Sequence, residues 1–323
     1  MSKERDESAL RALGWKDAFA RHLPSQYAQL NHQIHRVTQV QRTGLVVAPP
    51  LGSGGVEVPV SGKWFQRPEQ ERPTVGDWII VDSGSGALVD CLPRTSLLAR
   101  LSPAGNGSLQ LIAANVDTAL VVTSCNADFS IARLERYVSV VLEAGIEPVV
   151  VLTKTDLVQQ PNIYTQPLID AFPKTQWLAL NALEASAAKA LEPWCGEGQT
   201  IALLGSSGVG KSTLVNTLMG AQTQRTQAIR EEDGKGRHTT TARSAHLLPQ
   251  GGVILDSPGM REFQMTEASA GVAELFADIE RLAQACRFRD CAHNAEPGCA
   301  VQAAIAAGQL DQRRLDSYNK LKG

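Results

Sequence analysis

At 323 residues, with 43% hydrophobic and 20% charged residues, the chain has an ordinary soluble composition and room for two or three domains. A formal net charge of −2 excludes a global basic bias, so charge alone does not announce nucleic-acid binding. The charged start Met1–Ser8 precedes no apolar signal core, and the longest apolar stretch, 138–152, is broken by Glu143, Gly145, Glu147 and Pro148. A membrane helix needs about 20 nearly unbroken apolar residues, so the protein is read as cytoplasmic and without a membrane partner.

Residues 1–34 read as a charged tail followed by a helical pattern of Trp15, Phe19 and Leu23, interrupted at Pro24. Between 43 and 101 the texture changes to short strands, expected at 43–48, 56–65, 76–82, 86–92 and 96–101. Val56, Val58 and Val60 alternate with Glu57 and Pro59, as one face of a half-buried strand does. Five such strands fit a small barrel of the OB type over 35–101, or a barrel with no binding role. The loop 102–108, rich in Ser, Pro, Gly and Asn, reads as a linker.

Beyond it, apolar runs at 118–122, 148–152, 177–180, 201–204 and 252–255 alternate with helical stretches such as 131–144. That pattern predicts a doubly wound α/β domain over 102–265. After residue 264 the chain reads as helical, at 268–285 and 300–322, which sets off 266–323 as a last unit.

The run Val149-Val150-Val151-Leu152 ends in Thr153-Lys154-Thr155-Asp156. This resembles the Asn-Lys-x-Asp motif that reads guanine, with Thr153 in place of asparagine. A carboxylate at Asp156 can accept from both N1–H and the exocyclic amine of guanine, a pair of donors adenine lacks. A strand end followed by a helix cap would explain the same four residues. After the next run, Asn181-Ala182 stands where a Ser-Ala loop contacts the base, and Ala182 is carried as a nucleotide contact.

Gly205-Ser206-Ser207-Gly208-Val209-Gly210-Lys211-Ser212 matches G-x-x-x-x-G-K-[ST] between an apolar run and an amphipathic stretch that begins at Thr213. The glycines let successive N–H groups converge on phosphate oxygens, and the helix N-terminus adds positive charge. Lys211 then reaches the β- and γ-phosphates, and Ser212 offers a hydroxyl to Mg²⁺. A mobile switch is expected at 233–241, where Thr239 or Thr240 would close on Mg²⁺. Downstream, Asp256-Ser257-Pro258-Gly259 places an acid at a strand end to hold Mg²⁺ through water, with the Gly259 amide sensing the γ-phosphate. The base motifs precede the phosphate loop, so the usual GTPase order is circularly permuted. The segment after Asp256 is then tethered to a nucleotide-sensitive loop.

Of six cysteines, Cys91, Cys125 and Cys195 are scattered and read as small core residues. Cys286-x4-Cys291-x-His293-x5-Cys299 offers three thiolates and one imidazole, a closed set suited to structural Zn²⁺. A pair of disulfides is the alternative, opposed by a reducing compartment and the odd number of clustered cysteines.

Taken together these features resemble the family of ribosome small-subunit-dependent GTPases A (RsgA or YjeQ). The resemblance is carried most specifically by 236–240 (Gly-Arg-His-Thr-Thr), 256–263 (Asp-Ser-Pro-Gly-Met-Arg-Glu-Phe) and 286–293 (Cys-Arg-Phe-Arg-Asp-Cys-Ala-His). It implies a permuted P-loop GTPase domain flanked by an N-terminal OB-fold barrel and a C-terminal, mainly helical zinc domain. It also implies GTP/GDP with Mg²⁺, one Zn²⁺, and binding to the small ribosomal subunit and its rRNA late in maturation. Self-association is not expected. RNA binding comes from the resemblance alone, since residues 35–110 hold seven Lys/Arg against six Asp/Glu.

Met260 stands where many GTPases place a water-positioning glutamine, so slow unassisted hydrolysis is expected. His238, beside the switch threonines, is a candidate to orient water, or else a solvated switch residue. Two other functions stay open: an RNA-binding factor whose nucleotide is an occupancy switch with negligible turnover, and an ATP-dependent enzyme, which Asp156 opposes.

Overall fold

A nine-residue stretch, six of its residues polar, forms the first strand of the structure, a computed structural model that describes residues 8–27, 32–41, 44–48, 55–101, 108–220, 244–256, 268–294 and 296–322. Strand β1 (His32–Val40) pairs antiparallel with β2 (Gly44–Ala48) on one side. β2 continues to β3 (Val56–Pro59), while β4 (Trp78–Asp82) pairs on the other side of β1 and carries β5 (Leu88–Cys91). The order β3-β2-β1-β4-β5 is that of an OB barrel left open between its third and fifth strands.

β4 is buried on both faces. Ile79 and Val81 enter the barrel core with Val37, Leu45, Val47 and Trp64. Trp78 and Ile80 face outward and are covered by Trp15 and Phe19. Trp15 meets Trp78 edge-on at 4.9 Å, and Phe19 lies in the short helix Asp17–Arg21. The helical pattern expected near the N-terminus therefore serves to close the barrel's outer face.

Three barrel expectations are corrected. β1 was not foreseen because two of its polar side chains, His35 and Arg36, are themselves buried: Arg36 donates to Leu13 O at 2.7 Å and Asn115 O at 3.2 Å, over the Trp78 ring. The strand expected over 56–65 ends at Pro59, which lacks an N–H, and Gly62–Phe65 is a helical turn that drives Trp64 into the core. β6 (Leu97–Leu101) leaves the barrel and pairs antiparallel with β7 (Leu109–Ala114).

The apolar runs become β8 (Thr118–Ser124), β9 (Glu147–Thr153), β10 (Gln176–Ala179) and β11 (Thr200–Leu204), followed by β12 (Ser244–Leu247) and β13 (Val253–Asp256). Their order is β10-β9-β8-β11-β13-β12. All pairs are parallel except β12 with β13. The antiparallel β12 was not anticipated: Ser-Ala-His-Leu has no apolar run, and it is held as an edge strand by a turn closed through Leu248 and Gly252. Barrel strand β1 lies against it.

The helical tail docks on the helix Ile131–Glu143. The stretch expected as one helix is two, Ser269–Leu275 and Ala277–Ala283, and the second is Ala300–Ala306 and Gln312–Lys322. At the docking face, Gly271 N–H donates to Glu143 Oε2 at 2.7 Å, and a Cβ on Gly271 would collide with the Ser139 carbonyl. Gly271→Ala must push two helices apart against backbone, so we expect it to cost about 3 kcal/mol. Urea denaturation read by far-UV circular dichroism measures this, and an unchanged midpoint would contradict the close approach.

Arg314 is the other anchor. Its guanidinium forks onto Asp278 at 2.7 and 2.9 Å and also donates to Ala171 O and Leu275 O. These hydrogen bonds hold the Asp278 carboxyl below its ordinary range against the opposing effect of burial. No helix among the described residues is long and apolar enough to cross a membrane.

Candidate nucleotide-binding site and metal centre

The C-terminal ends of β8, β9, β10 and β11 lie side by side, where open parallel sheets place their ligand loops. From β11 the chain turns through 205–210 into the helix Lys211–Met219. Gly205 takes φ 141° and a Cβ there would strike Val122 O of the adjacent strand, so only glycine lets the loop leave the sheet this way. Val209 is buried in the core on one side of the sheet, while Ser207, Gly208 and Ser212 are exposed. Lys211 Nζ donates to Gly205 O at 2.6 Å and Ser206 O at 2.5 Å, which keeps the ammonium over the loop. Thr213 follows in the helix, half-buried.

Thr153 ends β9, fully buried, and its Oγ1 lies 2.6 Å from Val209 O and 3.0 Å from Thr123 O. The residue thus joins β8, β9 and the 205–212 loop. Lys154 takes the left-handed conformation at φ 58°, which turns Thr155–Leu157 into a short 3-10 turn and leaves Asp156 exposed. Burial first, and then the charge of Asp156, pushes the Cys125 thiol up.

Ala182, just beyond β10, is buried and accepts from Thr217 Oγ1 at 2.6 Å. The loop after β10 is thereby fastened to the helix that starts at Lys211. Thr217 was not singled out from the sequence, since a hydroxyl in a helix carries no motif.

The structure therefore gathers 153–156, Ala182 and 205–213 on one edge of the sheet. Asp256 closes β13, the strand next to β11, with its backbone paired to Ser244. His238, Thr239, Thr240 and Gly259 lie outside the described residues.

In the tail, Cys286, Cys291, His293 and Cys299 bring their four ligand atoms within 4.8 Å of one another. Cys286 Sγ is 3.9 Å from Cys299 Sγ, and His293 Nδ1 is 3.7 and 3.6 Å from those sulfurs. A tetrahedron with Zn–S bonds near 2.3 Å has edges of about 3.8 Å, so the donor set fits that ion and does not fit a disulfide. Backbone N–H groups of Ala300 and Gln302 point at the Cys286 and Cys299 sulfurs, each at 3.4 Å. Glu296 fixes the loop by accepting from the amides of Ala292 at 2.8 Å and Asn294 at 2.9 Å. Such outer contacts orient ligands; Glu296 had not been expected from the sequence.

Residues 91–266 match the family model described as RsgA GTPase. The chain belongs to that family. It is 48% identical over 315 residues to a Vibrio vulnificus protein named small ribosomal subunit biogenesis GTPase RsgA 2, covering 97% of this chain and 86% of that one. A Mesorhizobium japonicum protein named small ribosomal subunit biogenesis GTPase RsgA is 45% identical, with 97% and 89% covered. Among solved structures, YjeQ from Thermotoga maritima matches with a TM-score of 0.65 at 21% identity, over 90% of this chain and 97% of that one. YloQ, described as a circularly permuted GTPase, matches at 0.65 and 22%, over 93% and 96%. These likenesses bear out the fold, a permuted P-loop GTPase domain with a strand-rich N-terminal region and a helical C-terminal one. As a member of the RsgA family the chain is a GTP hydrolase that binds guanine nucleotide.

Proposed function

We propose that this GTPase hydrolyses GTP to GDP and phosphate when stimulated by the small ribosomal subunit, late in that subunit's maturation. The observation that carries the reading is the clasp from Thr153 to Val209 O, which brings a candidate base-reading loop against a candidate phosphate loop. In this reading the amides of Gly205, Ser206, Ser207, Gly208, Val209 and Gly210 surround the phosphates, with Lys211 on the β- and γ-oxygens and Thr213 at the helix start. Ser212 and Asp256, with Thr239 or Thr240, would hold Mg²⁺, which supplies charge neutralisation at the phosphates. Thr153, Lys154, Thr155, Asp156 and Ala182 form the guanine side, Gly259 senses the γ-phosphate, and His238 orients water. Zn²⁺ would be held by Cys286, Cys291, His293 and Cys299 in a purely structural role.

The names of the relatives, small ribosomal subunit biogenesis GTPases, support the small subunit as partner; in this reading its rRNA is contacted too and the work is cytoplasmic. We take the units as a barrel over 35–101, a GTPase unit over 102–265 and a zinc-bearing helical tail over 266–323, and expect a monomer.

The test is GTP turnover by the full chain with and without purified small subunits. Because Met260 replaces a water-positioning glutamine, unassisted turnover is expected to be slow and stimulation to reach about a hundredfold or more. Binding of GTP without stimulated turnover would favour an occupancy switch. Unchanged stimulated turnover in His238→Ala would remove the role given to that residue.

A further inference from the structure

One turn of the barrel reaches into the GTPase core, next to the strand that ends in Asp256. Val75, 1% exposed, is buried in the same core cluster as Val121, Ala202 and Leu255, and not in the barrel's own cluster of Val37, Leu45 and Trp64. Gly76 follows at φ 91°, where a Cβ would strike Ala114 O and stand 3.2 Å from Leu255 Cδ1. The turn is held in one shape. Gly76 N–H donates to Val37 O at 2.8 Å, and its carbonyl accepts from Asn115 Nδ2 at 3.0 Å. Asp77 Oδ2 accepts from Thr74 N–H at 2.7 Å, and Arg94 forks onto the same carboxylate at 2.8 and 2.7 Å. A bidentate pair fixes the planes of both groups, so the turn 74–77 is stiff where it meets Leu255.

Leu255 is the residue before Asp256. The ladder between β13 and β11 runs from Val253 to Leu255, so Asp256 keeps its place through its pairing with Ser244 and through whatever seats Leu255. Barrel strand β1 lies against β12, the other strand of this hairpin, with Val40 packed on both the barrel core and the GTPase core. The phosphate loop and residues 153–156 leave from β11 and β9 instead. We propose that the barrel turn 74–77 is a positioning element for hydrolysis: it seats the end of β13 and so sets where the backbone of Asp256 stands. This rests on the metal-holding role proposed for Asp256. A reacting group displaced by about 1 Å costs roughly a hundredfold in rate. Contacts to the nucleotide made from β9 and β11 are left in place, so capture is affected less than turnover.

The experiment uses the full chain carrying Val75→Ala, with Val47→Ala as a matched control. Both delete the same methyl groups from a buried valine, but Val47 lies within the barrel's own core. Single-turnover GTP hydrolysis, the Kd of a fluorescent GDP analogue and the melting temperature are read for each. Val75→Ala is expected to slow hydrolysis at saturating GTP by roughly 2- to 30-fold, the range for residues that act on a site without touching its ligand. Its Kd for the GDP analogue should stay at the wild-type value. Val47→Ala should lower the melting temperature comparably and keep the wild-type rate, since it weakens the barrel without moving β13. A wild-type rate in Val75→Ala, an equal slowing in Val47→Ala, or a GDP Kd weakened by the same factor as the rate overturns the proposal. If Val75→Ala does not fold, Val40→Ala, half-buried on β1, must show the same split. A wild-type rate there overturns the proposal equally. Asp256→Asn tells the two failures apart: a wild-type rate in that variant would remove the role of Asp256 itself, and the proposal with it.

Discussion

Asp156→Asn is expected to weaken GTP binding by two to four orders of magnitude and to improve binding of xanthosine triphosphate. Guanine offers two donors on one edge, N1–H and the exocyclic amine, and a carboxylate accepts from both. Each such charge-assisted bond contributes about 1.5–3 kcal/mol, which together account for a factor of roughly 10² to 10⁴. Asparagine keeps one acceptor and turns an N–H₂ toward the guanine amine, donor against donor. Xanthine carries a carbonyl at that position and accepts from the new amide. Asp156 is exposed, on a turn set by the left-handed Lys154, so the exchange leaves packing intact and the melting temperature should hold. Competition of GTP, XTP and ATP for the full chain decides it. Undiminished preference for GTP would remove Asp156 from the base site.

How legible such a site is in sequence depends on how local its chemistry is. The 205–212 loop was legible because phosphate binding uses contiguous backbone amides, and the residues that shape them are neighbours in the chain. The metal set was legible for the same reason: four donors fall within fourteen residues, 286–299. What could not be read was contact across long separations. Thr153 looked like a weakened base-reading residue, and only the fold places its hydroxyl against Val209, 56 positions away. Thr217 against Ala182 is the same case at 35 positions.

The fold divides along similar lines. Strands buried on both faces, such as β8 and β9, announce themselves as apolar runs. β1 does not, because His35 and Arg36 are buried in it and the two terminal guanidinium nitrogens of Arg36 donate to carbonyls of Leu13 and Asn115. That environment comes from tertiary structure, and burial lowers the Arg36 pKa only to about 10, so the guanidinium stays charged. β6 was legible as a strand and illegible as to partner, since alternation says nothing about which edge a strand will join.

Cys299→Ser is expected to abolish metal binding and to unfold the segment 286–299 without unfolding the chain. The full protein should carry one zinc, measurable by mass spectrometry of the purified metal content, and the variant none. Structural zinc contributes about 10–16 kcal/mol to the folding of isolated zinc fingers, as much as a whole domain's ordinary stability of about 5–15 kcal/mol. Here the loss stays local, because the flanking helices have anchors of their own. Arg314 grips Asp278, Leu275 O and Ala171 O, and Gly271 is seated on Glu143 and Ser139. The segment between is held by the metal set, the two amide bonds to Glu296, the Gln302 side chain on His293 O and the backbone bond from Arg287 N–H to Gly298 O, with no apolar core of its own among the described residues to match those of the helices. Cys299 also caps the helix Ala300–Ala306 by accepting from Gln302 N–H, and serine keeps that capping ability. The substitution therefore separates metal loss from cap loss. Hydrogen exchange should show amides 286–299 losing protection while those of 269–283 and 312–322 keep theirs. Retained protection at 286–299 in a zinc-free variant would mean that the loop folds on its own contacts and that the metal reading is wrong.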